Sequence, residues 1–378
     1  MLAFAPLPDE TNFTSQNHLE FVALVMAEFG LKKDNLVCLI GDNCSTNNKT
    51  ADLFKIPSLG CRSHRFNLAM EKFIDQELKR EVEMVTQLMG KLSTLKEAGF
   101  LRQKTHLRPV KRNVTRWLGV IHMMDRFLTL LPSIDENRPG IADFIPSAAQ
   151  RSKIRNYQKI LYELKAVTLA LQSTSLTLAE SEELFQSVIT EFPQFNFSSY
   201  LGSTASIVHN VVFERAIIKV QCGNDSQLLL AEAQSIKKLE VKAEVENEQA
   251  DDRVLSIVEG AMKRQKLKTK IPTYVDTRFL IPTTNHVERL FSMGKRVFSS
   301  KRRSLLPRTL EALVFLKQNC KFWDVNLVSA LVNETPHINE ADLPDYPDTD
   351  DEFSEYDLYY SDNESRGRER DNLTYEDV

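Results

Sequence analysis

The stretch Leu36-Val37-Cys38-Leu39-Ile40-Gly41-Asp42-Asn43 decides the fold class. A continuous apolar run of strand length, stopped by a Gly-Asp-Asn turn signal, marks a strand buried on both faces. Asp42 then stands at the C-terminal end of that strand. Downstream, a short helix over Lys49 to Phe54 and an extended Pro57 to Cys61 continue a strand, helix, strand rhythm, which is that of an α/β unit. Upstream, Asn17 to Leu31 sets Leu19, Val22, Ala23, Met26 and Phe29 on one helical face and closes at Gly30. Met1 to Ala5, running into Pro6-Leu7-Pro8, suits a short buried strand, so the chain is expected to begin in mid-domain.

From Phe66 onward the period changes. Met70, Phe73, Val82, Val85, Met89 and Leu92 recur at helical spacing, and the same pattern returns over Ile154 to Leu171, Ala179 to Phe192 and Leu228 to Val258. Residues 66 to 270 are therefore expected to be almost wholly helical. Ala231 to Gln249 is charged enough to be an exposed helix or a loosely ordered linker. Pro307 opens a last apolar helix through Leu316. Leu310, Leu313, Val314, Phe315 and Leu316, with Trp323 beyond, give it more apolar surface than one face needs; a second subunit or a buried core position both account for that. Residues 334 to 378 are acidic and aperiodic, and are expected to be a disordered tail in which Thr349-Asp350-Asp351-Glu352 is a candidate phosphorylation site.

The overall net charge of −4 conceals a split, because residues 334 to 378 hold 16 acidic residues against 3 Arg. Residues 1 to 333 carry a net +9, which favours an anionic partner such as nucleic acid, although on charge alone a solvated mixed surface is the simpler reading. Five scattered cysteines and the lack of a leader pattern point to a reduced intracellular compartment. No apolar run approaches the roughly 20 residues that a membrane span needs. The composition, 42% hydrophobic and 26% charged, is that of an ordinary folded protein.

Three stretches could carry chemistry: Ile40-Gly41-Asp42-Asn43-Cys44-Ser45-Thr46-Asn47, Gly60-Cys61-Arg62-Ser63-His64-Arg65-Phe66-Asn67-Leu68-Ala69, and Asn285-His286-Val287-Glu288-Arg289-Leu290-Phe291-Ser292. Each is weak alone, since a Cys-x-x-His pair offers only two of the four ligands of a structural zinc site. In this order they resemble the hAT superfamily of cut-and-paste DNA transposases. The resemblance implies an RNase H-like catalytic core interrupted by a large helical insertion, with Asp42 and Glu288 as catalytic, metal-binding carboxylates for Mg²⁺ or Mn²⁺. Two such cations would bridge a scissile phosphate through hard oxygen ligands. It places Cys61 and His64 beside Asp42, where a supporting structural role outweighs zinc binding. It also implies that Gly294-Lys295-Arg296-Val297, through Lys301-Arg302-Arg303, to Trp323 is a basic segment followed by a dimerisation region.

On the same resemblance, Arg289, Lys295, Arg296, Lys301, Arg302 and Arg303 face DNA, and Arg116-Trp117 corresponds to an Arg-Trp motif whose Trp stacks on a flipped base. A Trp anchoring the helical core is the competing reading. Lys263, Arg264, Lys266, Lys268 and Lys270, like Lys301 to Arg303, read as phosphate contacts, a nuclear import signal or solvated helix faces.

The expected fold is α+β and mostly helical, a partial RNase H-like core with an all-helical insertion. Residues 1–75 and 276–333 hold the core and the dimerisation region, 76–275 the insertion and 334–378 the tail. The first catalytic Asp of the family has no counterpart, so the expectation is a nuclear, DNA-associated homodimer without strand transfer of its own, needing no membrane and no small-molecule cofactor. A domesticated interaction module that cuts nothing, or a fragment of an active transposase, are the rival expectations.

Overall fold

Two short parallel strands, β1 (Leu39–Gly41) and β2 (Ser58–Gly60), pair with Leu39 opposite Ser58, Ile40 opposite Leu59 and Gly41 opposite Gly60. A parallel pair needs a crossover, and helix α2 (Ser45–Phe54) supplies it. The helix stops where Lys55 turns into the left-handed region at φ 56°. Helix α1 (Ser15–Glu28), held at its start by the Thr14 hydroxyl, packs on α2, so that Ala51, Phe54 and Ile56 meet Leu19, Val22, Leu36 and Leu39.

The computed structural model describes residues 1–112, 117–241, 273–298 and 305–334, in two units, Met1–Asn319 and Cys320–Val378. The fold class is α+β and mostly helical.

Two strand expectations are corrected. The strand expected over Leu36–Ile40 is confined to Leu39–Gly41 and is only half-buried, whereas β2 is the fully buried one. Among the described residues β1 has a single strand neighbour, and its side chains divide between two clusters: Leu36 and Leu39 toward α1 and α2, and Val37, Cys38 and Ile40 toward the cluster built on Leu59. Met1 to Ala5 is not a strand. No strand edge receives it among the described residues. Instead the Met1 amine donates to Asn319 Oδ1 at 3.0 Å, the Asn319 amide donates back to the Met1 carbonyl at 2.9 Å, and Phe4 lies 5.8 Å from the Phe291 ring.

The helical expectation holds over most of its length. Helices α3 (Arg62–Glu77), α4 (Lys79–Leu92), α5 (Leu95–Arg102), α6 (Leu118–Leu130), α7 (Ala148–Leu171), α8 (Leu178–Glu191) and α9 (Ser198–Leu201) share one apolar cluster. It contains Met70, Phe73, Val82, Val85, Met89 and Leu92, the residues that the period singles out. Reciprocal caps, Ser147 with Gln150 and Thr177 with Glu180, set the first turns of α7 and α8. Helices α10 (Val211–Gln221) and α11 (Leu230–Ser235) build a second cluster in which Phe213, Ile217, Ile236 and Leu239 pack on Leu59 of β2.

The helix expected over Leu228–Val258 ends at Ser235. Beyond a short 3₁₀ turn, Glu240 instead makes an antiparallel bridge to Tyr274. Residues 242–258 lie outside the described residues, as do Lys263–Lys270 and the acidic tail from 335 onward. Helices α12 (Asn285–Val297) and α13 (Pro307–Gln318) pack together and close the first unit. In the second unit, a 3₁₀ turn over Cys320–Phe322 precedes α14 (Val325–Glu334).

Candidate functional site

Parallel register brings the ends of β1 and β2 to one place. There Cys61 N donates to the Gly41 carbonyl at 2.7 Å, and the chain leaves as Asp42 on one side and α3 on the other. Asp42 is exposed, and its carbonyl accepts from Cys44 N at 2.8 Å and Asn47 Nδ2 at 3.1 Å, a tight turn into α2. The Asn43 side chain passes directly over Gly60 to donate to the Ile207 carbonyl at 3.3 Å. A Cβ on Gly60 would stand 2.0 Å from Asn43 Nδ2, so this crossing requires glycine.

Cys61 is the pivot. Its Sγ, nearly inaccessible, accepts from Thr284 N at 3.3 Å and from Thr284 Oγ1 at 3.2 Å. Next to it Arg62 N donates to the Pro282 carbonyl at 2.8 Å, and Asn285 Nδ2 donates to Ser63 Oγ at 3.0 Å and to the Leu171 carbonyl at 2.9 Å. The start of α12 is thereby bound to the start of α3. Glu288, one turn on, donates its amide to the Thr284 carbonyl at 3.3 Å. Asp42 and Glu288 thus leave segments that meet at Cys61, and both carboxylates are exposed. His64 is half-buried in the first turn of α3.

Among the described residues no three His, Cys, Asp or Glu side chains are grouped to hold a metal. The sulfur at the pivot is a soft group already occupied by Thr284, unlike the hard oxygen donors that Mg²⁺ takes.

Behind Cys61 lies a charge cluster that the motif reading passes over. Arg62 and Arg65 are fully buried. Arg62 pairs with Glu182 at 2.6 Å and Glu214 at 3.0 Å; Arg65 stands 3.6 Å from Glu214 and donates to the Tyr200 and Gly202 carbonyls at 3.0 Å each. Both guanidiniums lie over the Phe185 ring. Burial, with Arg62 adding its charge, pushes Arg65 down to about 10, and burial pushes the Glu214 carboxyl up against the pull of both guanidiniums. The cluster ties α3 to α8 and α10. Its signal was present in the sequence, since Arg62 and Arg65 fall on the same helical stripe as Phe66, Ala69 and Phe73.

The remaining expected site residues take varied positions. Trp117 is buried edge-on to Phe66 at 6.2 Å, so the anchoring role is the one observed and its ring has no open face for a base. Arg289 is exposed and donates to the Gln172 carbonyl at 2.7 Å, while Lys295 and Arg296 are exposed in the last turn of α12. Arg116 and Lys301 to Arg303 lie outside the described residues.

On α13, Leu313 and Leu316 are exposed, and Leu310 and Phe315 are half-buried. Val314 is fully buried within the protomer and faces Gly294, so it packs α13 on α12 rather than lining the outer face. Trp323, in the second unit, is partly exposed. Phe291 and Leu306 add to the apolar surface of the α12–α13 pair at 63% and 56% exposure, more than a solitary protomer gains from showing.

Residues 280–320, which span α12 and α13, match the hAT family C-terminal dimerisation region. No curated protein matches the chain.

Proposed function

We propose, from the hAT-type C-terminal dimerisation region at residues 280–320, that this hAT transposase-derived protein works as a homodimer that associates with DNA in the nucleus and does not cut it. The matched region carries the reading of descent and self-association. The exposed Phe291, Leu306, Leu313 and Leu316 supply the apolar surface that a second copy would cover.

The finer parts of the proposal rest on other observations. An RNase H-like origin is supported by the parallel β1–β2 pair with Asp42 at its end and by the joining of the Glu288 segment to it through Cys61. Association with DNA is supported by the net +9 of residues 1–333 and by the exposed Lys295 and Arg296 beyond the Glu288 turn. The absence of cutting rests on the carboxylates: the resemblance assigns two here, and two cations bridging a scissile phosphate call for a fuller ligand set. Mg²⁺ or Mn²⁺ at Asp42 and Glu288 belongs to the same resemblance.

Sedimentation velocity of the full chain tests dimerisation. A dimer that becomes a monomer in Leu313→Glu/Leu316→Glu, with helical circular dichroism unchanged, is expected; a monomer at all accessible concentrations would refute the reading. Incubation with terminal-repeat duplex in Mn²⁺ tests the chemistry. No strand cleavage is expected, and cleavage abolished by Asp42→Asn would instead identify an active transposase.

A further inference from the structure

The sequence from Lys91 to Met124 holds eight Lys and Arg residues and a single acid, Glu97, in a chain whose acids otherwise outnumber its cations. Within it, Arg102, Lys104, Arg108 and Lys111 are all exposed. They run from the last residue of α5 along non-helical chain that is nonetheless held in place. Thr105 N bonds to the Leu101 carbonyl at 3.0 Å, Leu107 N bonds to Thr105 Oγ1 at 3.2 Å, and Arg126 of α6 clamps the Arg108 carbonyl at 2.8 Å.

The nearest acids in sequence have partners of their own. Arg138 holds Glu97 at 2.6 Å, and Gln158 and Tyr162 hydrogen-bond Asp125. A fixed, non-helical, exposed segment of one sign of charge is what a polyanionic backbone binds. A solvated mixed surface would interleave acids among these cations.

We propose that residues 102–111 bind the phosphate backbone of duplex DNA, as a contact surface separate from the α12 cations. The proposal rests on the DNA-associating reading above and adds where part of that association is made. Contacts of this kind carry no sequence preference and release counterions, so they show in the salt dependence of binding.

The test is fluorescence anisotropy of the full-length chain with a labelled duplex over a range of KCl concentrations. It compares the wild type with Arg102→Gln/Lys104→Gln/Arg108→Gln/Lys111→Gln and with Lys295→Gln/Arg296→Gln. The strip variant should keep its circular dichroism and its dimer, bind at least about tenfold more weakly at 0.1 M salt, and lower the slope of log K against log salt by about three to four, at ~0.9 for each lost phosphate contact. Wild-type binding with an unaltered slope in the strip variant would overturn this proposal and leave the DNA reading standing. No duplex binding by the wild type would overturn both. Strip-dependent binding to phosphatidylserine vesicles without binding to duplex would give the surface to a membrane and overturn the proposal.

Discussion

Thr284 places both its amide and its hydroxyl on the Sγ of Cys61, at 3.3 and 3.2 Å, across 223 positions of sequence. One sulfur thereby joins the β2–α3 turn to the entrance of α12. Cys61→Ala should leave two part-buried donors without their acceptor and lower stability by about 1–3 kcal/mol, and Cys61→Ser, which keeps an acceptor, should cost less. Chemical denaturation measures both, and equal losses would mean that packing, not the hydrogen bonds, holds the junction. Thiol titration of the native chain gives a second reading. Cys44, Cys222 and Cys320 are exposed and should react rapidly, whereas Cys61 is enclosed and burial pushes Cys38 up to about 12, so both should lag.

The Asn43 crossing predicts a coupled pair. Gly60→Ala puts a Cβ where Asn43 Nδ2 lies, so the amide must swing away and lose the Ile207 carbonyl, at a cost of about 1–2 kcal/mol. Asn43→Ala removes the obstacle, so Gly60→Ala should cost clearly less in that background. A double-mutant cycle with no coupling energy would contradict the geometry.

Trp117 and Trp323 are the only tryptophans. Trp117→Ala should destabilise the helical body by about 3–5 kcal/mol, as expected for an emptied core position. In a Trp323→Phe variant the remaining Trp117 emission should be blue-shifted and resist acrylamide. Quenching of that emission by added duplex would revive base stacking as its role.

Two phenols should resist alkali. The hydrogen bond from Tyr157 to Glu77, and that from Tyr162 to Asp125, push both up to about 12. A raised folded value means that their contribution is complete below pH 10 and is lost as pH rises through about 12. Absorbance of phenolate in the native chain should show Tyr157 and Tyr162 among the late tyrosines, beside Tyr274, which burial also pushes up, and Glu77→Gln should bring Tyr157 back toward the ordinary range.

Much of this fold could be read from periodicity, because the apolar stripe from Phe66 to Leu92 and the patterns over Ile154 to Leu171 and Ala179 to Phe192 are local signals that tertiary packing reinforces. The sheet was harder. The apolar run at Leu36–Ile40 resembles a strand enclosed by strands, but such a run records only that both faces meet something apolar, and here helices supply much of it. Of the site, the motif reading singled out Asp42, Cys61 and Glu288, whose segments meet at Cys61 in the structure. It could not foresee that Cys61 would act through Thr284, and although the helical stripe already turns Arg62 and Arg65 inward, their partners Glu182 and Glu214 are more than a hundred residues away and carry no local signal. The dimerisation region was legible through the family resemblance, since the apolar excess of α13 by itself suited a buried core helix nearly as well.

The clasp between Met1 and Asn319 has a consequence for how the first unit can be rewired. Its two extremities already touch, so a linker of a few residues could join them without traversing the body, and new ends could be opened in the exposed turn near Gly140. A circularly permuted chain of this kind should keep the α3–α9 core, because the order in which the elements are threaded is not what holds them together.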